Sequence, residues 1–217
     1  LQPDAFPLTT LVGANYDSGE YERSLDAVLE ASGYSELRAE QTRRRETNDP
    51  MLLGIGVSSY VEVTAPIGLH VEYGSCEIND DGSATIKVGT SSHGQGHDTA
   101  FSMLVNDVLG IPMDQVNHVD ADTETVARGS GTMGSRSLQA GGSAVYEASK
   151  VVLEKGKQLA ATLLEASADD IVVGDGALQV AGVPAKSVSW AELASAAAEQ
   201  EIEGGLAHEL DFDGTDS

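Results

Sequence analysis

The sequence predicts an α+β fold in which mixed and antiparallel sheets pack against helices. Three observations lead there. Alternating stretches rich in Val, Ile, Tyr and Thr at 52–64, 69–79 and 84–90 follow one another directly. Helical stripes elsewhere do not take turns with strands in the regular order that a doubly wound sheet requires. The Asp80-Asp81-Gly82 turn joins two of the strand stretches into an antiparallel hairpin.

The elements are expected as follows. Residues 1–21 are irregular. Ser24 caps a short helix carrying Leu25, Val28 and Leu29 and stopped by Gly33. Ser35 caps a second helix that Asn48-Asp49-Pro50 ends. Its Arg43-Arg44-Arg45 triplet reads as a solvated helix end, where cations meet the C-terminal dipole. After the strands, Phe101, Leu104, Val105, Val108 and Leu109 form one apolar stripe over 100–109, closed by Gly110 and Pro112. A short strand over 115–121 precedes an irregular segment, 122–137. A long helix over 138–167 is rich in small residues (Ala140, Gly141, Gly142, Ala144, Ala148) that let another backbone come close. A hairpin of 171–173 and 178–180 turns at Asp175-Gly176, a helix covers 189–199, and an acidic tail trails off without a closing element.

Composition narrows the function classes. The 217 residues suffice for a sizeable core. Twelve Lys and Arg against 35 Asp and Glu leave a net charge of −23, which argues against a broad electrostatic grip on nucleic acid or an anionic membrane. No apolar run is long enough for a membrane-spanning helix, no leader pattern opens the chain, and a cytoplasmic setting is expected. Cys76, the single cysteine, excludes an internal disulfide and a multi-cysteine metal or iron–sulfur site; it reads as a small core residue. The abrupt ends suggest an interior piece of a longer polypeptide.

Two glycine-rich loops carry the chemistry. Ser91-Ser-His-Gly-Gln-Gly-His-Asp-Thr99 opens one helix and Gly129-Ser-Gly-Thr-Met-Gly-Ser-Arg-Ser137 opens another. Helix N-termini present unpaired amides and partial positive charge, and glycines let a ligand approach them, so an oxyanion fits there. Between Lys87 and Lys150 the only cations of the Lys/Arg type are Arg128 and Arg136, both in the second loop, and they invite an anionic ligand. Neither loop is a Walker loop, since no Lys precedes the helix. The alternative is a pair of flexible turns with a cap at Ser135 or Ser137. Gln95 can donate and accept without charge. Chelation by His93 and His97 is disfavoured by the glycines between them. Asp120 and Asp122 read as a solvated loop, and His70, His118 and His208 as isolated.

In order along the chain, these segments resemble the molybdenum-cofactor-binding large subunit of the xanthine dehydrogenase, aldehyde oxidase and aerobic carbon monoxide dehydrogenase family. The resemblance runs from Tyr16-Asp-Ser-Gly-Glu-Tyr21 through Gly54-Ile-Gly-Val57 and Tyr60-Val-Glu62 to Thr90–Thr99, Leu109–Pro112, Asp122-Thr123, Gly131–Ser137, Gly141-Gly142, Asp169-Asp170 and Asp175-Gly176. It implies a molybdopterin cytosine dinucleotide with molybdenum in the intact subunit. FAD and [2Fe-2S] would sit in partner subunits or domains. The implied reaction inserts water-derived oxygen into an aldehyde, purine or N-heterocycle, or oxidises carbon monoxide. His93, Gly94, Gln95 and Gly96 match the loop on the pterin and molybdenum side, and Thr132, Gly134, Ser135 and Arg136 match the loop at the pyrophosphate and cytosine end. Arg136 would make a charge-assisted bond to the diphosphate. His97 stands where some members carry a small residue.

The family's catalytic Glu, in a Gly-Glu-x-Gly-type segment, and its loop over the metal have no match in these 217 residues, so no catalytic or metal-ligating residue is assigned. By the same resemblance, residues 1–50 are a helical linker from the first cofactor-binding region and 51–217 part of the second, in a dimer of heterotrimers. A non-catalytic phosphate- or nucleotide-binding module, and an assembly piece whose acidic surface meets a basic partner, are the competing readings.

Such acidity exceeds what solubility needs and fits a salt-rich setting, where screening relieves self-repulsion. The thermal midpoint is therefore expected to rise between 0.1 M and about 2 M potassium chloride, because the Debye length falls from about 10 Å to under about 3 Å. A midpoint indifferent to salt would refute this.

Overall fold

The computed structural model describes residues 1–65 and 70–214, which divide into two compact units, 1–61 and 62–217. In the first unit, β1 (Leu8–Thr9) and β2 (Asn15–Tyr16) make a small antiparallel pair, followed by helices α1 (Tyr21–Ala31) and α2 (Tyr34–Glu46). Both helices begin earlier than their expected caps. Ser24 lies inside α1, where its hydroxyl bonds back to the Glu20 carbonyl, and α2 starts right after Gly33, whose left-handed backbone (φ +63°) makes the corner without a side-chain cap. Arg43 and Arg44 of the basic triplet both pair with Glu40 at 2.6 Å, and these bonds hold its carboxyl down at about 2.

The expected strand over 52–64 does not form: residues 52–63 have no regular structure and leave Leu52, Val57, Tyr60 and Val63 exposed. Alternating apolar residues make a strand only where a neighbouring strand takes up their backbone groups, and among the described residues no strand pairs with 52–63, the Leu53 carbonyl accepting instead from the Gln41 side chain at 2.9 Å. Leu69, the expected start of the next strand, lies outside the described residues.

The second unit is built on a four-stranded mixed sheet. Its order is β5 (Val116–Val119), β4 (Ala84–Val88), β3 (Val71–Ile78), β9 (Ala207–Asp213), with β4 and β5 parallel and the other pairs antiparallel. The hairpin at Asp80–Gly82 joins β3 and β4, with Ile78 opposite Ala84. β9 is the expected acidic tail, and its finding as a strand corrects that reading. Leu210 and Phe212 alternate with exposed Glu209, Asp211 and Asp213, so the strand seals β3 on one side and shows carboxylates to water on the sheet's edge, where charge discourages further pairing.

Helices α3 (His97–Leu109) and α4 (Ser143–Leu163) pack on this sheet around Cys76, Ile86, Val88, Phe101, Val105 and Val145, all with no accessible surface. Burial pushes the Cys76 thiol up to about 11, so it stays protonated as a small core residue. The long helix expected over 138–167 starts with a π-helical turn, Ser137–Gly142, and ends at Leu163. Wider turns of this kind recur at functional sites.

The smaller sheet has three antiparallel strands, β6 (Ile171–Val173), β7 (Ala177–Val180) and β8 (Val183–Ser189), where a two-stranded hairpin is expected. β8 is exposed along most of its length and lacks the apolar alternation that marks a strand. Helix α5 (Trp190–Glu199) starts at a capping box between Ser189 and Glu192, and the Trp190 Nε1–H donates to the Leu109 carbonyl at 2.9 Å.

The small residues of α4 let it lie directly on β3. A Cβ placed on Gly74 would stand 2.6 Å from the Ala144 methyl and 2.7 Å from its carbonyl carbon. Gly74→Ala is expected to cost about 1–3 kcal/mol through overpacking and to lower the melting temperature by several degrees in a thermal scan. An unchanged midpoint would show that the helix can lift away.

Candidate functional site

The two glycine-rich loops meet at the ends of β4 and β5. The first, 91–96, leaves β4 and enters α3. Gly96 turns the corner in the left-handed region (φ +81°), and no side-chain hydrogen bond caps α3. The amides of its first turn are thus available to a ligand. The second loop, 128–137, feeds the π-helical turn and α4 and holds Gly131, Gly134 and Ser135 at positive φ.

A two-way bond joins the loops. The Thr132 hydroxyl accepts the Ser91 N–H at 2.9 Å and donates to the Ser91 carbonyl at 2.7 Å, while Ser137 donates to the Thr132 oxygen at 3.3 Å. Behind this bond the backbones touch: a Cβ on Gly129 would stand 2.3 Å from the Gly89 Cα. The loops lie side by side, as a shared ligand requires.

Each expected residue can now be placed. His93, Gly94, Gln95 and Gly96 are exposed, with nothing within 4 Å of where a Cβ would stand on Gly94 or Gly96. The Gln95 side chain accepts the His93 N–H and donates to the His97 Nε2 at 3.0 Å. Thr132 and Gly134 are half-buried; the Gly134 carbonyl accepts the Ala65 N–H at 3.0 Å. Ser135 is exposed and donates to Glu62 at 3.0 Å. Arg136 has no accessible surface. Its guanidinium donates to Glu72 and to the Gly131 carbonyl, and to the Val71 carbonyl at 2.6 Å.

The expectation that the two loop arginines present free charge to an anion meets a different arrangement. Arg128 reaches Asp211 at 2.8 Å and Glu209 at 3.5 Å on β9 and lies over the Tyr73 ring at 4.5 Å. Both guanidinium groups have carboxylate partners.

Residues that sequence reasoning set aside also belong here. Asp120 is no solvated loop residue: its carboxylate accepts the Ser92 N–H at 2.8 Å and pins the first loop to the end of β5. His118, read as isolated, has a side chain only 3 % exposed, bonds Asp98 at 2.5 Å and meets Phe101 edge-on. His97 is buried against Phe101. Among the described residues no group of three or more His, Cys, Asp or Glu could hold a metal ion. Glu72 had a legible signal, a carboxylate in phase with buried Gly74, Cys76 and Ile78.

A family model described as a molybdopterin cofactor-binding domain matches residues 27–215. The chain belongs to that family. It is 35% identical to the carbon monoxide dehydrogenase large chain of Hydrogenophaga pseudoflava, over 89% of this chain and 25% of that one. It is 36% identical to the nicotine 6-hydroxylase large subunit of Paenarthrobacter nicotinovorans, over 88% of this chain and 24% of the relative. The structure of quinoline 2-oxidoreductase from Pseudomonas putida 86 superposes with a TM-score of 0.78 at 30% identity, covering 99% of this chain and 29% of that one. The chain therefore spans about a quarter of the length of the curated relatives it matches.

The loops suit a molybdopterin cofactor. The glycine positions of the first loop open onto free space, its helix start is uncapped by side chains, and the 128–137 segment itself contains no carboxylate, Glu62 reaching Ser135 from outside it. Residues that would hold the cofactor are the 93–96 backbone with the Gln95 amide, and Gly134 and Ser135 of the second loop.

His97 makes this site sensitive to acid. Burial above all, then the neighbouring His118, depresses its pKa below 6.5, against the opposing pull of Asp120 and Asp98. Its Nε2 accepts from Gln95, so protonation would break that bond. The unfolded chain takes up this proton at the ordinary 6.5 while the native state resists it, so native stability is complete above 6.5 and falls as the pH drops below it. The protection of residues 91–97 against hydrogen exchange, taken relative to the intrinsic rate at each pH, is expected to fall below pH 6.5 in the native protein, and less so in His97→Phe. An equal loss of protection in both would refute the role of His97.

Proposed function

We propose that this chain is the molybdopterin-binding portion of a molybdenum hydroxylase. The observation that carries this reading is the two-way Thr132–Ser91 bond, which sets two glycine-rich helix entrances side by side in a member of the cofactor-binding family. The cofactor proposed is a molybdopterin cytosine dinucleotide. When bound it would supply the redox chemistry by which water-derived oxygen enters an aldehyde, purine or N-heterocycle, or by which carbon monoxide is oxidised. The chain's own residues would bind and orient. Amides of residues 93–96 would meet the pterin end, helped by Gln95, which adds no charge of its own. The second loop would meet the diphosphate through backbone amides, and through the Ser135 hydroxyl once it turns from Glu62, as helix entrances meet phosphate.

The relatives support this reading, being a carbon monoxide dehydrogenase large chain and a nicotine 6-hydroxylase large subunit. Residues 1–50 would be a linker from the first cofactor-binding region and 51–217 part of the second. Iron–sulfur and FAD-bearing partners would take the electrons, in a cytoplasmic dimer of heterotrimers.

The full-length subunit with its partners is expected to contain molybdenum and to release cytidine monophosphate on acid treatment, in equal amounts. The 1–217 protein alone is expected to show no substrate-dependent dye reduction. Tight mononucleotide binding without molybdenum would instead favour a non-catalytic phosphate-binding module, and dye reduction by the 1–217 protein would overturn the division of labour.

A further inference from the structure

The second loop is held from beneath by a buried ion pair. Glu72 on β3 and Arg136 at the loop's end both have side chains with no exposed surface. Arg136 joins Glu72 to the carbonyls of Gly131 and Val71, so a single guanidinium spans the loop and the strand. The Glu72 carboxylate also accepts the Tyr73 N–H at 2.9 Å and the Ser130 N–H at 3.2 Å, which ties the loop's other limb to the same anchor. Space is tight around it: a Cβ on Gly89 would stand 2.2 Å from the Glu72 Oε1 and 2.4 Å from the Gly129 Cα.

Such a pair is a poor source of stability, since removing two charges from water offsets most of their attraction. Its worth lies in what it fixes. The loop carries three residues at positive φ, one of them Ser135, and this shape needs outside support. A guanidinium without accessible surface cannot touch a ligand unless the loop opens. We propose that Glu72 and Arg136 are positioning residues: the pair shapes the 128–137 loop from below, and Thr132 passes that shape to Ser91 of the first loop, so that Glu72 governs cofactor affinity while touching no cofactor. This rests on the cofactor-binding reading above, with Arg136 moved from ligand to scaffold.

The two roles of Arg136 give opposite signs in one variant. Glu72→Gln keeps the side chain's size and removes no positive charge. If Arg136 bound the diphosphate directly, deleting the carboxylate that neutralises it would leave binding unchanged or tighten it. If the pair shapes the loop, binding weakens, about tenfold where the competent shape falls to about a tenth of the population.

The test uses the cofactor-free full-length subunit, cytidine diphosphate as the probe in calorimetry, and hydrogen exchange of residues 128–137. Weaker binding and faster loop exchange, with exchange in the sheet strands unchanged, are expected of Glu72→Gln. Unchanged or tighter binding, or unchanged loop exchange, overturns the proposal. Should Glu72→Gln not fold, the Glu72→Met/Arg136→Met double variant removes both charges together; full wild-type affinity in it overturns the proposal, and weakened affinity with fast loop exchange supports it. A wild-type subunit that does not bind the probe, while Glu72→Gln still loosens the loop, would refute the cofactor reading and leave the loop anchor standing.

Discussion

Two stretches of backbone meet at Gly89 and Gly129 with no room for a side chain on either, and the site depends on that contact. It brings the exit of β4 against the start of the second loop, so that Thr132 can reach both backbone groups of Ser91. Larger residues there would force the backbones apart, and two helix entrances would then point at different things. The same closeness recurs where α4 lies on β3 at Gly74. Small residues thus set the distance between elements, and polar side chains lock them at that distance.

Much of this was legible in the chain, for reasons that differ by element. The β3–β4 hairpin declared itself through a turn that suits few other structures, and α3 through a stripe with a clear stop. The loops stood out because glycine-rich segments before helices have few structural reasons to exist. β8 and β9 were hidden. β8 is mostly exposed and so carries no apolar alternation. β9 carries its apolar residues between carboxylates, and an edge strand needs only one partner. The 52–63 segment misled in the other direction, because alternation reports amphipathicity and not pairing.

The least legible part concerned charge. Sequence shows that two arginines flank a loop in an acidic protein, yet pairing depends on long-range contacts that spacing does not reveal. Arg136 finds Glu72 from 64 positions away, and Arg128 finds Asp211 from 83 away. The histidines behaved alike: His118 gained meaning only when β5 set it beside Asp98 and Phe101. Two loop guanidinium groups matched to carboxylates, Arg136 buried on Glu72 and the half-exposed Arg128 on Asp211, are in keeping with the −23 charge of the chain.

β9 has a bearing on the order in which the molecule comes into being. Strand β3, which carries Glu72, lies between β4, made next, and β9, made more than a hundred positions later. As the ribosome delivers the polypeptide, the hairpin of β3 and β4 can assemble early, but the far flank of β3 stays bare until residue 207 has emerged. Arg128 likewise waits for Asp211. The sheet beneath the two loops is therefore closed on its second side only after both loops have themselves been made.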